Sequence, residues 1–463
     1  MVAPLHGEKL STHWECPNSN KEPTIRKGDE MINSPSDVNF FNPEINACPY
    51  PAYDMLRNES PVWKDPITGM FVVTRFEDIR AILADTAVFT NRVGSAAGNT
   101  EKAVRPTDPE EIRKHEEAAA QQRQIQELYR TTGWEPVGTL DALDGENHAQ
   151  LRRMMAKAFS PRRIMKLDPF VETLSRKLVD AFLEKGSCEW VAEYAIPIPL
   201  YTIGEQMGVP EADMPRIKSW TDAWVQRLGL MQTMDERLWS ASQEIEGQHY
   251  FQKVFDRLRV VPEDTVLSDM VNKEIPEWKR KLTDAELHSE MFADIFVGGS
   301  ETTTNALSGG LKILIENPDL WTKVSSDPER WLPSFIEEVV RLEGPVQGLL
   351  RETSEDVTLH GVFIPSGSIV NLRFAAANRD GEAFACPADV DLERENAKGH
   401  LGYGFGVHFC LGAPLARREL YWGFKAFMDK VSSVRYGEGN TFEYQPNYFL
   451  RALKSLKIEF TAR

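Results

Sequence analysis

Cys410 stands in the segment 401–420, L-G-Y-G-F-G-V-H-F-C-L-G-A-P-L-A-R-R-E-L, with Gly402, Gly404 and Gly406 alternating ahead of it and Gly412 behind. Alternating glycines let a backbone turn tightly and approach a flat partner closely. The residues after Cys410 suit a helix, which puts its thiol at a helix N-terminus. There the dipole and the free N–H groups favour thiolate over thiol, and the same donors would tune a metal bound to the sulfur. The plain alternative is a buried cysteine in a glycine-rich turn. The other cysteines, Cys16, Cys48, Cys188 and Cys386, are scattered and form no C-x-x-C. An odd, dispersed set argues against a disulfide framework and against a cysteine-rich zinc site.

Three further groupings have spacings that matter. Glu338 and Arg341 are i, i+3 on one helix face, which by itself is an ordinary ion pair. His148 and Arg152 are i, i+4 and offer two donors on one side of a helix. In F-V-G-G-S-E-T-T-T, Gly298 lies four residues before Thr302. A threonine hydroxyl can bond back to the i−4 carbonyl and bend a helix, and the Gly298-Gly299 pair weakens regular packing further. Glu301 beside Thr302 is, taken alone, a surface acid next to a β-branched residue.

Taken together, these residues resemble the cytochrome P-450 superfamily. Tyr403, Gly404, Gly406, His408, Cys410 and Gly412 match its cysteine-loop signature, with Tyr403 where the family usually has Phe. The matches run from His148 to the C-terminus; the first 146 residues match only coarsely. The resemblance implies heme b, held without a covalent link, with Cys410 as the axial thiolate that pushes electron density onto iron. The absence of C-x-x-C-H fits non-covalent binding. It further implies that His148, Arg152, Arg351 and His408 hold the heme propionates by charge-assisted bonds, and that Gly298 and Phe405 adjoin the cofactor. Glu338 and Arg341 would join Arg394 in a structural triad. Beside the heme the long helix is expected to widen at Gly298 and Thr302, and Glu301 and Thr302 would deliver protons. Asp294, Val297, Val346, Leu349, Leu350, Phe449 and Leu450 would wall the substrate pocket, with Asp294 or Gln347 as a polar handle.

The activity so implied is insertion of one oxygen atom from O₂ into a hydrophobic small molecule of terpenoid, steroid or alkyl-aromatic type. The sequence carries no glycine-rich dinucleotide unit and no cysteine cluster for iron–sulfur, so electrons are expected from a ferredoxin and its reductase. One rival is a heme-thiolate peroxygenase, dehydratase or isomerase that needs no redox partner; the Glu301-Thr302 pair argues against it. The other is a non-catalytic heme sensor or carrier.

The elements that must position these residues are mostly helical. Residues 1–35 are polar and aperiodic and read as a flexible tail, leaving 36–463 as one heme-binding domain. Residues 62–74 read as two strands around a turn at Asp65–Gly69, followed by a helix. From 147 to about 342 nearly everything is helical, and Thr283-Asp284-Ala285-Glu286 is a capping box opening a long apolar helix. Strand-rich stretches recur at 357–373 and 434–461. The expected class is mainly α with small β-sheets in one compact unit of P-450 fold. Residues 101–132 read as a lid insertion, opened by a capping box at Thr107 and ending near Gly133.

The net charge of −17 disfavours nucleic acid. Residues 151–166 nevertheless hold six bases and no acid, a candidate docking surface together with Arg417 and Arg418. No apolar run approaches the ~20 residues of a membrane span and the N-terminus lacks a secretory core, so the expected location is cytoplasmic.

Overall fold

The computed structural model describes Ile32 and residues 34–91, 109–157 and 159–463. The tail expected at 1–35 and the capping box expected at Thr107 fall largely outside them. The architecture is helical, with three small sheets. The strands are β1 (Val62–Lys64), β2 (Phe71–Val73), β3 (Phe89–Thr90), β4 (Ser187–Glu189), β5 (Leu349–Thr353), β6 (Val357–Leu359), β7 (Val362–Ile364), β8 (Ile369–Leu372), β9 (Val431–Tyr436) and β10 (Lys457–Ala462). One sheet has the order β1-β2-β8-β5-β3, a second β4-β10-β9, and β6 pairs with β7. The expected turn closes β1 onto β2, with Val62 opposite Val73; Asp65 ties it by accepting from Ile67 N and Thr68 Oγ1. β3 and β4 are too short to leave a period in the sequence.

Two aromatic clusters hold the helices. Trp190, Tyr194, Phe424 and Phe427 are buried among the helices Pro161–Leu183, Gly298–Glu316, Pro328–Leu342 and Ala413–Lys430. Trp220, Phe251, Phe255, Phe292 and Phe296 join Met214–Leu228 and Met234–Val260 to the front of the long helix. Each fully buried side chain of this size contributes roughly 1.5–3 kcal/mol of apolar transfer. The long helix therefore runs through both clusters, which fixes its position along the axis.

That helix begins at the expected box, with Thr283 Oγ1 accepting from Glu286 N and Glu286 accepting from Thr283 N. It is not uniform, however. Asp284–Glu290 and Gly298–Glu316 are α-helical, whereas Met291–Val297 forms wider turns that close where Gly298 N donates to Ala293 O, five residues back. The widening thus lies one turn ahead of the Gly298–Thr302 position expected from the sequence. The aromatic packing explains the shift: Phe292 and Phe296 are both buried on the Trp220–Phe251 cluster, while Gly298 faces open space.

The helix Pro109–Thr132 packs on Met234–Val260 through Ile125 and Tyr129 against Ala241 and Ile245. Tyr129 Oη donates to the buried Glu244 at 2.7 Å, and Arg227 reaches the same carboxylate at 3.0 Å. Cys386 is disulfide-bonded, which the scatter of cysteines did not suggest. No described helix is long and apolar enough to cross a membrane.

Candidate active site

The cysteine loop is fastened from behind. Glu338 accepts from Arg341 Nε and Nη2 at 2.7 and 2.8 Å, and from Arg394 Nε at 3.0 Å. Arg341 spends its remaining donors on the carbonyls of Asn378, Pro387 and Asp389. Its neighbour Glu337 accepts from Arg417 at 2.7 and 3.0 Å and pairs with His400 at 3.2 Å. Burial alone would raise the Glu337 pKa; the bonds from His400 and Arg417 outweigh it and hold the value at about 2. The loop itself presses onto this helix: a Cβ on Gly402 would come within 2.5 Å of Val340 Cγ1. Gly404 takes φ +72, a conformation that glycine alone adopts cheaply, and Cys410 N donates to Tyr403 O at 2.8 Å.

Cys410 is exposed, yet burial raises its thiol pKa, so the sulfur opens onto an internal cleft rather than the outer surface. The N–H groups of Gly412 and Ala413, with Arg152 and Arg417 beyond them, pull the other way. The donors expected at the helix N-terminus are therefore present, but burial prevails over them. Asp141 shares this condition, exposed yet with its pKa raised by burial; Leu349, 43% exposed, and Gly298 are uncovered as well.

Four basic residues converge beside the loop. The rings of His148 and His408 lie 4.0 Å apart. Arg152 donates to the Phe409 carbonyl, and Arg351 Nη1 to its neighbour Leu350 O. His148 Nε2 and Arg351 Nε are buried without a partner. Burial lowers His408 to about 3 and Arg351 to about 10. A buried donor with no acceptor costs about 1–3 kcal/mol, and two such groups beside Arg152 suit an anionic ligand. A flat macrocycle with two carboxylates fits these residues: an open sulfur on one side, the Arg351 guanidinium and two histidine rings at the edge, and an uncovered glycine opposite. Phe405 is half-buried under Arg80 at 4.9 Å and packs against the cluster of Phe76, Phe384 and Leu401.

On the opposite wall, Thr302 Oγ1 donates to Gly298 O at 3.0 Å, which leaves its oxygen lone pairs free. A Cβ on Gly298 would meet only Ala293 O, at 3.6 Å. Glu301 is buried and bound by Lys218 Nζ at 2.9 Å, with Asp222 on the same lysine; burial raises its pKa and Lys218 opposes the shift. Asp294 is half-buried and Val297 buried. Val346 bridges Leu450, while Phe449 and Leu350 pack beside Tyr448. Gln347 is not a free handle: its side chain accepts from Tyr53 Oη at 3.1 Å and donates to Gly344 O at 2.8 Å.

Sequence reasoning missed two features. Glu419, buried beneath the long helix against Thr303, has its pKa raised by burial to about 8. An acid on the apolar face of L-A-R-R-E-L-Y-W-G-F was the available signal. Asp141 and Glu290 gather around Asp294; both are unremarkable acids in the sequence. The basic stretch 151–166 is largely neutralised: Arg153 pairs with Glu277, Arg163 with Asp264, Arg418 with Asp168, and Arg417 turns inward to Glu337. Among the described residues, Lys157 and Arg162 make no ion pair.

A family model for cytochrome P450 matches residues 230–432. Cytochrome P450 CYP107DY1 of Priestia megaterium is 33% identical over 326 residues, covering 69% of this chain and 76% of the relative. A steroid C26-monooxygenase of Mycolicibacterium smegmatis is 29% identical over 406 residues, 86% of this chain and 96% of that one. Among solved structures, a cytochrome P450 CREJ in complex with (4-ethylphenyl) dihydrogen phosphate superposes with a TM-score of 0.79 at 27% identity, over 90% of this chain and 98% of that one.

Proposed function

Because the chain belongs to the cytochrome P450 family, a group of heme-thiolate oxidoreductases that bind heme b, we propose that Cys410 Sγ is the axial ligand of its heme and that the enzyme hydroxylates a hydrophobic small molecule with electrons from a ferredoxin and its reductase. The observation that carries this reading is the open sulfur of Cys410 at the bottom of an enclosed cleft, faced by the N–H groups of Gly412 and Ala413. Since burial keeps the free thiol protonated, metal binding must release that proton.

When bound, the heme supplies the oxygen chemistry, placing one atom of dioxygen on the substrate and releasing the other as water. His148, Arg152, Arg351 and His408 would receive its propionates. Gly298 leaves space, with Phe405 backing the loop. Thr302, whose hydroxyl is held by Gly298 O, presents an oxygen that can accept and pass a proton. Glu301 is the acid next in line, held by Lys218 Nζ. Val297, Val346, Leu349, Leu350 and Phe449 form a mostly apolar wall, which supports a terpenoid, steroid or alkyl-aromatic substrate; Asp294 is the polar exception. The helix Pro109–Thr132 serves as part of a lid, and residues 36–463 act as one catalytic domain, in the cytoplasm. Lys157 and Arg162, next to the 74% exposed Met165, offer the ferredoxin a docking surface.

Holoenzyme supplied with ferredoxin, reductase and NAD(P)H should convert a substrate selected by heme spin-state shift, more slowly as ionic strength rises. Turnover with peroxide but none with the electron donors would point instead to a peroxygenase.

A further inference from the structure

Glu290, Asp294, Gly298 and Thr302 follow one another along the long helix at intervals of four. Residues so spaced are neighbours, with Cβ atoms about 5–6 Å apart, and the wide turns of Met291–Val297 keep the row closer to the helix axis. The row forms one ridge carrying two carboxyls, a bare glycine and a hydroxyl.

The outer end of the ridge reaches a cleft large enough for several waters. Glu290 is only 1% exposed, yet it lines a cleft of about 240 Å³ shared with Gly138, Asn147, Trp278, Arg280 and Glu286. Its Oε1 accepts from Leu140 N at 2.9 Å, while Oε2 finds no donor. Asp294 Oδ2 is likewise buried without a donor. The two carboxyls lie beside each other, and a proton shared between them would give both orphaned oxygens a partner. The inner end is the uncovered Gly298 and the Thr302 hydroxyl. Glu301 lies off this ridge, turned to Lys218.

We propose that Glu290 and Asp294 form a second proton entry, separate from Glu301, that leads from the outer cleft along this ridge to the cavity beside Thr302. The inference rests on the monooxygenase reading. A proton leaves the Asp294 carboxyl for the acceptor in the cavity. The Glu290 carboxyl then reprotonates Asp294, and water in the cleft reprotonates Glu290. Solvent loses one proton, both carboxyls return to their starting state, and no electrons move along the ridge.

The groups facing the pair set its range. Asp141 approaches from the 140–142 turn with Thr139 beside it; Arg351 stands near Asp141 from β5; Arg280 and Glu286 pair with each other at the cleft. Burial, then Asp141, pushes Asp294 up to about 7, and burial, then Asp294, raises Glu290 well above the carboxylate range. Below about pH 7 the pair carries protons to give; above it Asp294 is increasingly ionised and transfer must wait on Glu290.

Holoenzyme variants Asp294→Asn and Glu290→Gln, with Glu301→Gln as comparator, test this by two readouts. The first is the share of electrons recovered in product rather than peroxide, with its pH profile and solvent isotope effect. The second is the infrared carboxyl band of the resting protein, which requires no turnover. Asp294→Asn should lower the coupled share several-fold and abolish a solvent-exchangeable band titrating near pH 7; Glu290→Gln should do so by a smaller factor, and Asp294→Glu should restore coupling. Coupling, pH profile and isotope effect unchanged in both variants would overturn the proposal. So would the absence of a titrating, exchangeable band in the wild-type protein, which decides the matter even where a variant does not fold. Failure of the monooxygenase reading is distinct, since the wild type would then form no product from any electron donor.

Discussion

The cysteine-loop side and the long-helix side of the cleft treat buried polar groups in opposite ways. Behind the loop, Glu338, Arg341 and Arg394 are bonded to one another and to carbonyls, and Glu337 is bonded to His400 and Arg417. Along the helix, Asp294 and Glu290 each keep an oxygen without a donor, and Thr302 has its proton committed but its lone pairs free. Leaving a buried polar atom unpaired costs about 1–3 kcal/mol, so a fold keeps such atoms only where they meet a ligand, a water or a moving proton. The saturated side holds geometry; the unsaturated side has capacity left for chemistry.

The contrast is broken most severely at Cys410, where the two sides meet. Cys410→Ala should abolish the absorption of a thiolate-bound, carbon monoxide-complexed reduced heme, and turnover with it; a spectrum like wild type would end the whole reading. On the saturated side, Glu338→Ala strands two buried guanidinium groups and should destabilise the fold by about 3–5 kcal/mol, measured by denaturant unfolding, with heme content falling in parallel. On the other side, Thr302→Ala removes no structural bond beyond the one to Gly298. It should leave the unfolding midpoint nearly unchanged while product formation drops about a hundredfold and peroxide rises. Equal stability losses in these two variants would erase the distinction drawn here.

A milder probe is pH. Glu337 titrates at about 2 in the folded chain and near 4.3 when unfolded. Its contribution is therefore complete well above pH 4.3 and is lost as pH falls towards 2, a loss of about 3 kcal/mol at most. Glu337→Gln should flatten that part of the stability–pH curve. The smallest effect concerns an exception behind the loop. Tyr403 Oη is buried without a partner beneath Arg417, 4.5 Å from the ring. Tyr403→Phe removes the orphan and keeps the ring, so stability should rise by up to about 1 kcal/mol; a decrease would mean that the hydroxyl does work on this face.

What the sequence made legible follows the same division. The Glu338–Arg341 pair, the glycines around Cys410 and the capping box at Thr283 are local patterns, set by residues within a turn or two of each other. The backbone geometry they imply is what the fold contains. The relations that cross the chain were not legible. Lys218 meets Glu301 from 83 residues away, and Asp141 joins Asp294 only because a short turn folds over the helix. Arg153, Arg163 and Arg418 look like a free basic patch until their partners arrive from distant segments. The wide turns at Met291–Val297 left no trace either, because an i+5 hydrogen bond changes which carbonyl is used and not which residue types are needed. The shared packing of Phe292 and Phe296 is the only cause visible in hindsight.

Those wide turns also act as a phase shifter. An α-helix advances about 100° per residue and a wider coil less, so the stretch up to Glu290 and the stretch from Gly298 are rotated relative to a continuous α-helix. That rotation brings Glu290 and Asp294 into line with Gly298 and Thr302, so one ridge runs from the outer cleft to the side where the reaction takes place. A single-residue deletion within 291–297 would restore α-helical spacing and swing one half around the axis with every side chain intact. Such a lesion would alter the direction of groups without altering their identity.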